Sequence, residues 1–168
     1  MDVYYWLPLI AIAMVGGVMR GFAGFGTTLI MVPFFSLLMP PSEAVFIALA
    51  TDVLVMIPLL PNAVRDAQWK YIWPMIIGVF LATPLGVMVL KITNPEVMEI
   101  LIAILVIGSA FLLLSGWKYE GKRANSLSFF VGAFSSVVNG ATGMGGPPVV
   151  VYFLAQGMSP KSLRASLN

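Results

Sequence analysis

Two glycine clusters are the parts of this chain best suited to recognising a ligand: Gly21-Phe-Ala-Gly-Phe-Gly26 and Gly140-Ala-Thr-Gly-Met-Gly145. Glycine lets a bound group approach the backbone, and each cluster precedes an expected helix start, near Thr27 after the first and near Pro147 after the second, where Pro147 and Pro148 suit the first turn. A helix start presents N–H groups without intrahelical partners at the positive end of the peptide dipoles, so the chemistry on offer is anion binding. The candidate substrate contacts are Gly24, Gly26, Thr27 and Thr28 in the first break and Asn139, Gly143, Gly145 and Gly146 in the second, with Arg20 supplying a guanidinium at the mouth of the first. Asp52, midway along an apolar stretch, is read as a coupling carboxylate or as the partner of Arg20 in a structural salt bridge. A charge at such depth costs about 2.5–3.5 kcal/mol, so both groups are expected to face protein or water rather than lipid.

What is missing narrows the chemistry further. The chain has no His and no Cys, which removes imidazole bases, thiol nucleophiles, disulfides and ordinary zinc sites. No metal or other cofactor is expected. Glu43 and Asp52 are the acidic candidates for general acid–base work, but nine positions on one helix separate them by about 13 Å, too far to cooperate. An enzyme is therefore not expected. The glycine order G-x-x-G-x-G is not the G-x-G-x-x-G of a dinucleotide fold, and neither a strand nor an acidic ribose partner accompanies it. Nine Lys and Arg against seven Asp and Glu, without a basic run, give no footprint for nucleic acid.

The elements that must position these residues are membrane helices. Of the 168 residues 60% are hydrophobic and 10% charged, far from the roughly 25% charged of soluble domains. Apolar segments run at about 3–19, 27–39, 42–60, 71–90, 97–115, 127–139 and 147–157. Those at 42–60, 71–90 and 97–115 are long enough to cross a core of about 30 Å, whereas 27–39, 127–139 and 147–157 fall short and each adjoins a glycine cluster. Tyr4, Tyr5 and Trp6 suit an interfacial belt, and the start of the chain lacks a basic n-region, so the first segment reads as a retained helix. Pro58 and Pro61 are expected to close the third segment, followed by an exposed loop over 62–70, and Pro74 and Pro84 to allow a kink in the fourth. Gly17-Val-Met-Arg-Gly21 also fits the G-x-x-x-G form of plain helix packing.

Residues 20–39 laid over 139–158, a shift of 119, align Gly21, Gly24, Gly26, Phe34 and Met39 with Gly140, Gly143, Gly145, Phe153 and Met158, and Pro41 with Pro160. This gives an expected fold of an all-α polytopic membrane protein built as an inverted repeat with glycine-broken helical hairpins, the second repeat incomplete. Residues 1–115 form the first repeat, 116–126 a cytoplasmic loop, and 127–168 the start of the second. If each hairpin enters and leaves on one side, Arg65, Lys70, Lys118, Lys122, Arg123, Lys161 and Arg164 share one face and Lys91 stands alone on the other. By the positive-inside rule the N-terminus is then outside the cell or inner membrane.

The repeated breaks, each followed by an apolar stretch, and Ser159-Pro-Lys-Ser-Leu-Arg-Ala-Ser166 resemble the TauE/SafE sulfite-exporter family of membrane permeases, including its 4-toluene sulfonate uptake permease-like members. The resemblance is strongest over 21–33 and 140–148. It implies two homologous halves and secondary transport of a small anion, sulfite or an organosulfonate, by alternating access. Members of that family are longer, so the chain looks truncated at its C-terminal side. The expected partners are the anion, the lipid bilayer, and either a second copy or a chain supplying further helices; the competing reading is a non-transporting membrane subunit or fragment.

Overall fold

The computed structural model describes residues 3–67, 69–115, 125–155 and 160–167. Among these the secondary structure is helical throughout: α1 (Val3–Ala23), α2 (Thr27–Ser36), α3 (Pro41–Met56), a single 3-10 turn (Ile57–Leu59), α4 (Leu60–Asp66), α5 (Trp69–Ile92), α6 (Pro95–Leu114), α7 (Asn125–Thr142), α8 (Gly146–Ala155) and α9 (Pro160–Leu167). Four stretches are long and apolar enough to cross a membrane, Trp6–Ala23, Pro41–Asp66, Trp69–Ile92 and Pro95–Leu112. Large apolar side chains such as Phe22, Phe80, Ile107 and Phe111 stand exposed along them, which hydrocarbon, not water, tolerates. The chain is an all-α polytopic membrane protein.

Helix ends follow from local sequence. Prolines open α3 and α6, where a missing N–H costs nothing, and Glu43 and Glu96 lie in their first turns. Arg20, Arg65 and Lys91 occupy the last turns of α1, α4 and α5, each against the negative end of a helix dipole. Two boundaries differ from expectation. Residues 62–66 are helical rather than loop, because Pro61 stands at the start of α4 instead of ending α3, and Trp69 Nε1 donates to the Val64 carbonyl at 3.0 Å across the short turn into α5. The segment expected at 127–139 runs 18 residues as α7, because its serines and Asn139 are absorbed into the helix by bonds to neighbours. Pro74 and Pro84 both lie inside α5, which continues through them.

The two breaks share one geometry. Gly24 and Gly143 adopt left-handed φ of 79° and 72°, and each donates its N–H, at 2.7 Å, to a carbonyl four residues back, Arg20 and Asn139. This is the glycine C-cap that ends a helix without a Cβ penalty. Helix limits repeat at the same shift of 119: Ala23 and Thr142, Thr27 and Gly146, Ser36 and Ala155, Pro41 and Pro160. At ten residues each, α2 and α8 rise only about 15 Å, half a hydrocarbon core.

Burial centres on these short helices. One core cluster joins Leu9 of α1, Met31, Val32 and Phe35 of α2, Ala44, Val45 and Ala48 of α3, and Met98 and Ile102 of α6 with Met144 of the second break. A smaller one joins Met75 to Tyr152 and Phe153 of α8. The helices around the second break are fastened through α5 and α7, which touch backbone to backbone. A Cβ on Gly132 would lie 2.6 Å from the Met75 carbonyl, and Gly78, Gly86 and Gly140 leave similarly little room. Among the described residues the expected G-x-x-x-G packing at Gly17 and Gly21 is not used, since a Cβ at either would meet open space; Gly16 makes the close approach instead, to Thr27. Residues 116–124 of the expected cytoplasmic loop lie outside the described residues, as do the side chains of Tyr4, Tyr5, Lys161 and Arg164.

Candidate functional site

The two breaks, far apart in sequence, pack against each other. Phe25 of the first lies beside Gly146 of the second, where a Cβ would stand 3.3 Å from the Phe25 ring, and Gly143 faces Thr28 and Val32 of α2. Met144, which aligns with Phe25, is 1% exposed in the core built around α2. Each break therefore inserts its large apolar residue toward the other's short helix.

Between them lies a cavity of about 250 Å³. Its wall contains Arg20, Gly26, Thr28, Asp52, Asn139, Gly145 and Gly146, all expected from the sequence, together with Phe25, Met56, Val79, Ser135, Ser136, Val149, Ser166 and Leu167. Gly24, Thr27 and Gly143 do not reach it. Gly24 and Gly143 instead supply the left-handed turns, and Thr27 is buried beside Gly16, its hydroxyl without a hydrogen-bond partner. A larger groove of about 720 Å³ runs along residues Val79–Ile92 of α5 alone; it is an open, apolar face of one helix and brings no chemistry together.

Arg20 is 5% exposed and its Nη1 bonds to Asp52 Oδ1. The ion pair ties α1 to α3, and both members border the cavity. The salt-bridge role is thus present in the structure, and it does not remove either group from the ligand space. Neither charge faces lipid alone, which meets the cost of placing them at membrane depth.

The helix starts are treated differently at the two breaks. At α8, Gly145 donates its N–H to Asn139 Oδ1 at 3.2 Å, and Ser135 Oγ donates to the Gly145 carbonyl. At α2 the residue before the helix is Gly26, with φ 104° and no side-chain cap, so the first N–H groups of α2 keep their capacity for a ligand. Ser136 adds a second polar patch: its hydroxyl lies 2.6 Å from that of Thr83 and donates to the Val79 carbonyl at 3.1 Å. Ser135 and Ser136 had no counterpart in the first break, where they align with Gly16 and Gly17, and so a search by repeat passed over them. For Ser135 the signal was helical spacing: Ser128, Ser135, Asn139 and Thr142 recur on one face of α7.

One guanidinium and two helix starts border this cavity against a single carboxylate, Asp52, among the described residues. The arrangement favours an anion over a cation. No group of three or more metal-ligating side chains occurs among the described residues.

Comparison with known proteins decides the kinship. The sequence profile of the family "Sulfite exporter TauE/SafE" matches residues 9–168, nearly the whole chain. The chain belongs to the TauE/SafE family. A relative from Cupriavidus necator, described as "Probable sulfite/organosulfonate exporter TauE", is 28% identical over 115 residues, covering 64% of this chain and 44% of the relative. The chain thus matches less than half the length of that TauE protein. No solved structure matches. The family is described by sulfite export and not by an enzymatic reaction, and it is the one that the sequence resembled.

Proposed function

We propose that this TauE/SafE chain carries a small anion, sulfite or an organosulfonate, across the cell membrane by alternating access around the cavity between its two breaks. The observation that carries this reading is the placement of a nearly buried guanidinium, Arg20, beside the uncapped start of α2 in one cavity. Two fixed sources of positive potential converge there in a poorly solvated space, where electrostatic attraction is least diluted. Thr28, Ser136 and the Asn139 amide nitrogen are the neutral partners that fix orientation, while Gly26 and Gly146 leave room for approach to the backbone.

The repeat is proposed to be inverted, with the N-terminus outside and the breaks opening the cavity alternately to the two sides. Flux of sulfite and of methanesulfonate into proteoliposomes tests the transport reading. Saturable uptake that disappears in Arg20→Gln is expected, and flux that rises linearly with concentration would overturn it. The match to 44% of the relative's length favours a second reading beside it, in which the chain works with further helices from a second copy or another chain. Flux that appears only on adding a protein holding those helices supports this variant.

A further inference from the structure

We propose that the Arg20–Asp52 pair is an exchange latch: the entering anion takes the place of Asp52 on the guanidinium, and the released Asp52 carboxylate takes up a monovalent cation, so that anion and cation bind together. The inference rests on the anion-site reading above and adds a second ligand to it, with Asp52 as its residue.

The reasoning starts from Arg20. Its side chain is 6% exposed, and a guanidinium so buried is held only while an anionic partner stays on it. In the absence of substrate Asp52 provides that partner. A substrate anion seeking the same guanidinium competes with a carboxylate already in place, and exchange of one anion for the other keeps Arg20 paired throughout. Asp52 is the more accessible member, with a side chain 25% exposed and bordering the cavity, so it can turn away from Arg20 without leaving polar surroundings. Thr28, Ser135 and Ser136 offer oxygen atoms on the same wall.

Once displaced, Asp52 has no second fixed cation to receive it among the described residues. Of the elements packed against α3, neither α2 nor α7 carries an ionisable side chain. Glu96 and Glu99 lie in the first turns of α6, and Lys70, Tyr71 and Lys91 lie at the two ends of α5. Arg65 and Asp66 close α4, and Tyr152 of α8 is engaged with Ser128 Oγ. None of these borders the cavity. Charge balance at membrane depth therefore falls to a mobile monovalent cation, a proton or an alkali ion, entering with the anion. The anion alone would leave two full negative charges facing one full positive charge, with only the partial charges of the α2 and α8 starts beside it.

The test is calorimetric titration of the detergent-solubilised full chain with methanesulfonate, which keeps one negative charge across the working range and so cannot itself bring a proton. One series varies sodium at fixed pH, and the other varies pH without sodium. Affinity is expected to rise about tenfold for each tenfold increase in the coupled cation, the limit for one linked ion, and the series that responds identifies it. Asp52→Asn should bind methanesulfonate at least as tightly as the wild type does at saturating cation, with no dependence on either cation. Asp52→Glu should keep the dependence, which excludes a general loss of structure. Wild-type affinity indifferent to both cations, or an unchanged cation dependence in Asp52→Asn, overturns the latch while leaving the anion site standing. Absence of methanesulfonate binding by the wild type at every pH and sodium level overturns the anion site and the latch together.

Discussion

At the residue scale, Arg20 and Asp52 differ from ordinary surface ion pairs because the guanidinium is almost wholly buried, its side chain 6% exposed. Removing one charge leaves the other poorly solvated and without compensation, a situation that costs about 3 kcal/mol or more in buried pairs. Arg20→Gln is therefore expected to lower thermal stability in detergent clearly. The double variant Arg20→Gln, Asp52→Asn should regain most of that loss while remaining unable to bind anion. Thermal unfolding of the four forms of this cycle measures the coupling directly. The glycines of the breaks separate into two kinds by the same reasoning. At Gly26 a Cβ has room, its nearest neighbour being Met19 at 3.9 Å, and only the φ of 104° resists substitution, so Gly26→Ala should cost about 1–2 kcal/mol. A Cβ at Gly145 would stand 2.6 Å from that of Asn139, and Gly145→Ala should displace the break and abolish anion binding. Replacing Gly24 and Gly143 together with Ala should stop transport while the chain still inserts, since neither touches the cavity but both set its turns.

Among the elements, the α5–α7 pair shows how membrane helices associate without a hydrophobic drive between them. Gly78, Ala82 and Gly86 on one helix and Gly132, Ser136 and Gly140 on the other recur every four residues, which lets the backbones meet. Gly132→Val places a side chain against the Met75 backbone and is expected to separate the helices, seen as loss of the folded species on size-exclusion chromatography. Thr83→Val removes the 2.6 Å contact to Ser136 and a bond within α5 to the Val79 carbonyl, which still accepts from Ser136, and interhelical hydrogen bonds in membranes are worth about 0.6 kcal/mol on average. Its melting temperature should scarcely move. The contrast assigns this interface to close packing rather than to polar attraction. Since α7 also carries Ser135, Ser136 and Asn139 into the cavity, loosening the pair should weaken anion binding before it unfolds the chain.

For the molecule as a whole, the two repeats share helix limits at a constant shift but not the same chemistry. The Arg20 position is Asn139 in the second repeat, and where the guanidinium binds Asp52, the amide caps Gly145. The site is therefore asymmetric although helix limits recur around it, with the charge at the first break and the fixed turn at the second. The proposed orientation is open to a direct check, because a chain without Cys gives no background in single-cysteine labelling. A cysteine at exposed Asn62 should react with an impermeant maleimide only when the cytoplasmic side is opened. Labelling of intact cells at that position would reverse the topology.

Much of this was legible in the sequence. Segment lengths fixed the membrane class, because hydrocarbon admits few alternatives to a helix of some 20 apolar residues. Glycine spacing located both breaks, because left-handed backbone is nearly reserved to that residue. Arg20 and Asp52 stood out because charge within an apolar run demands a partner. What the sequence left open depended on contacts between distant segments. The local pattern gave no sign that Phe25 would meet Gly146, that Asn139 would spend its acceptor on Gly145, or that Ser136 would join the wall. Nor did it tell Gly17, which faces open space, from Gly132, which cannot hold a Cβ. Helix formation within a membrane is decided by each segment's own composition and backbone hydrogen bonds, whereas the cavity exists only because α5, α7 and the two breaks are brought together.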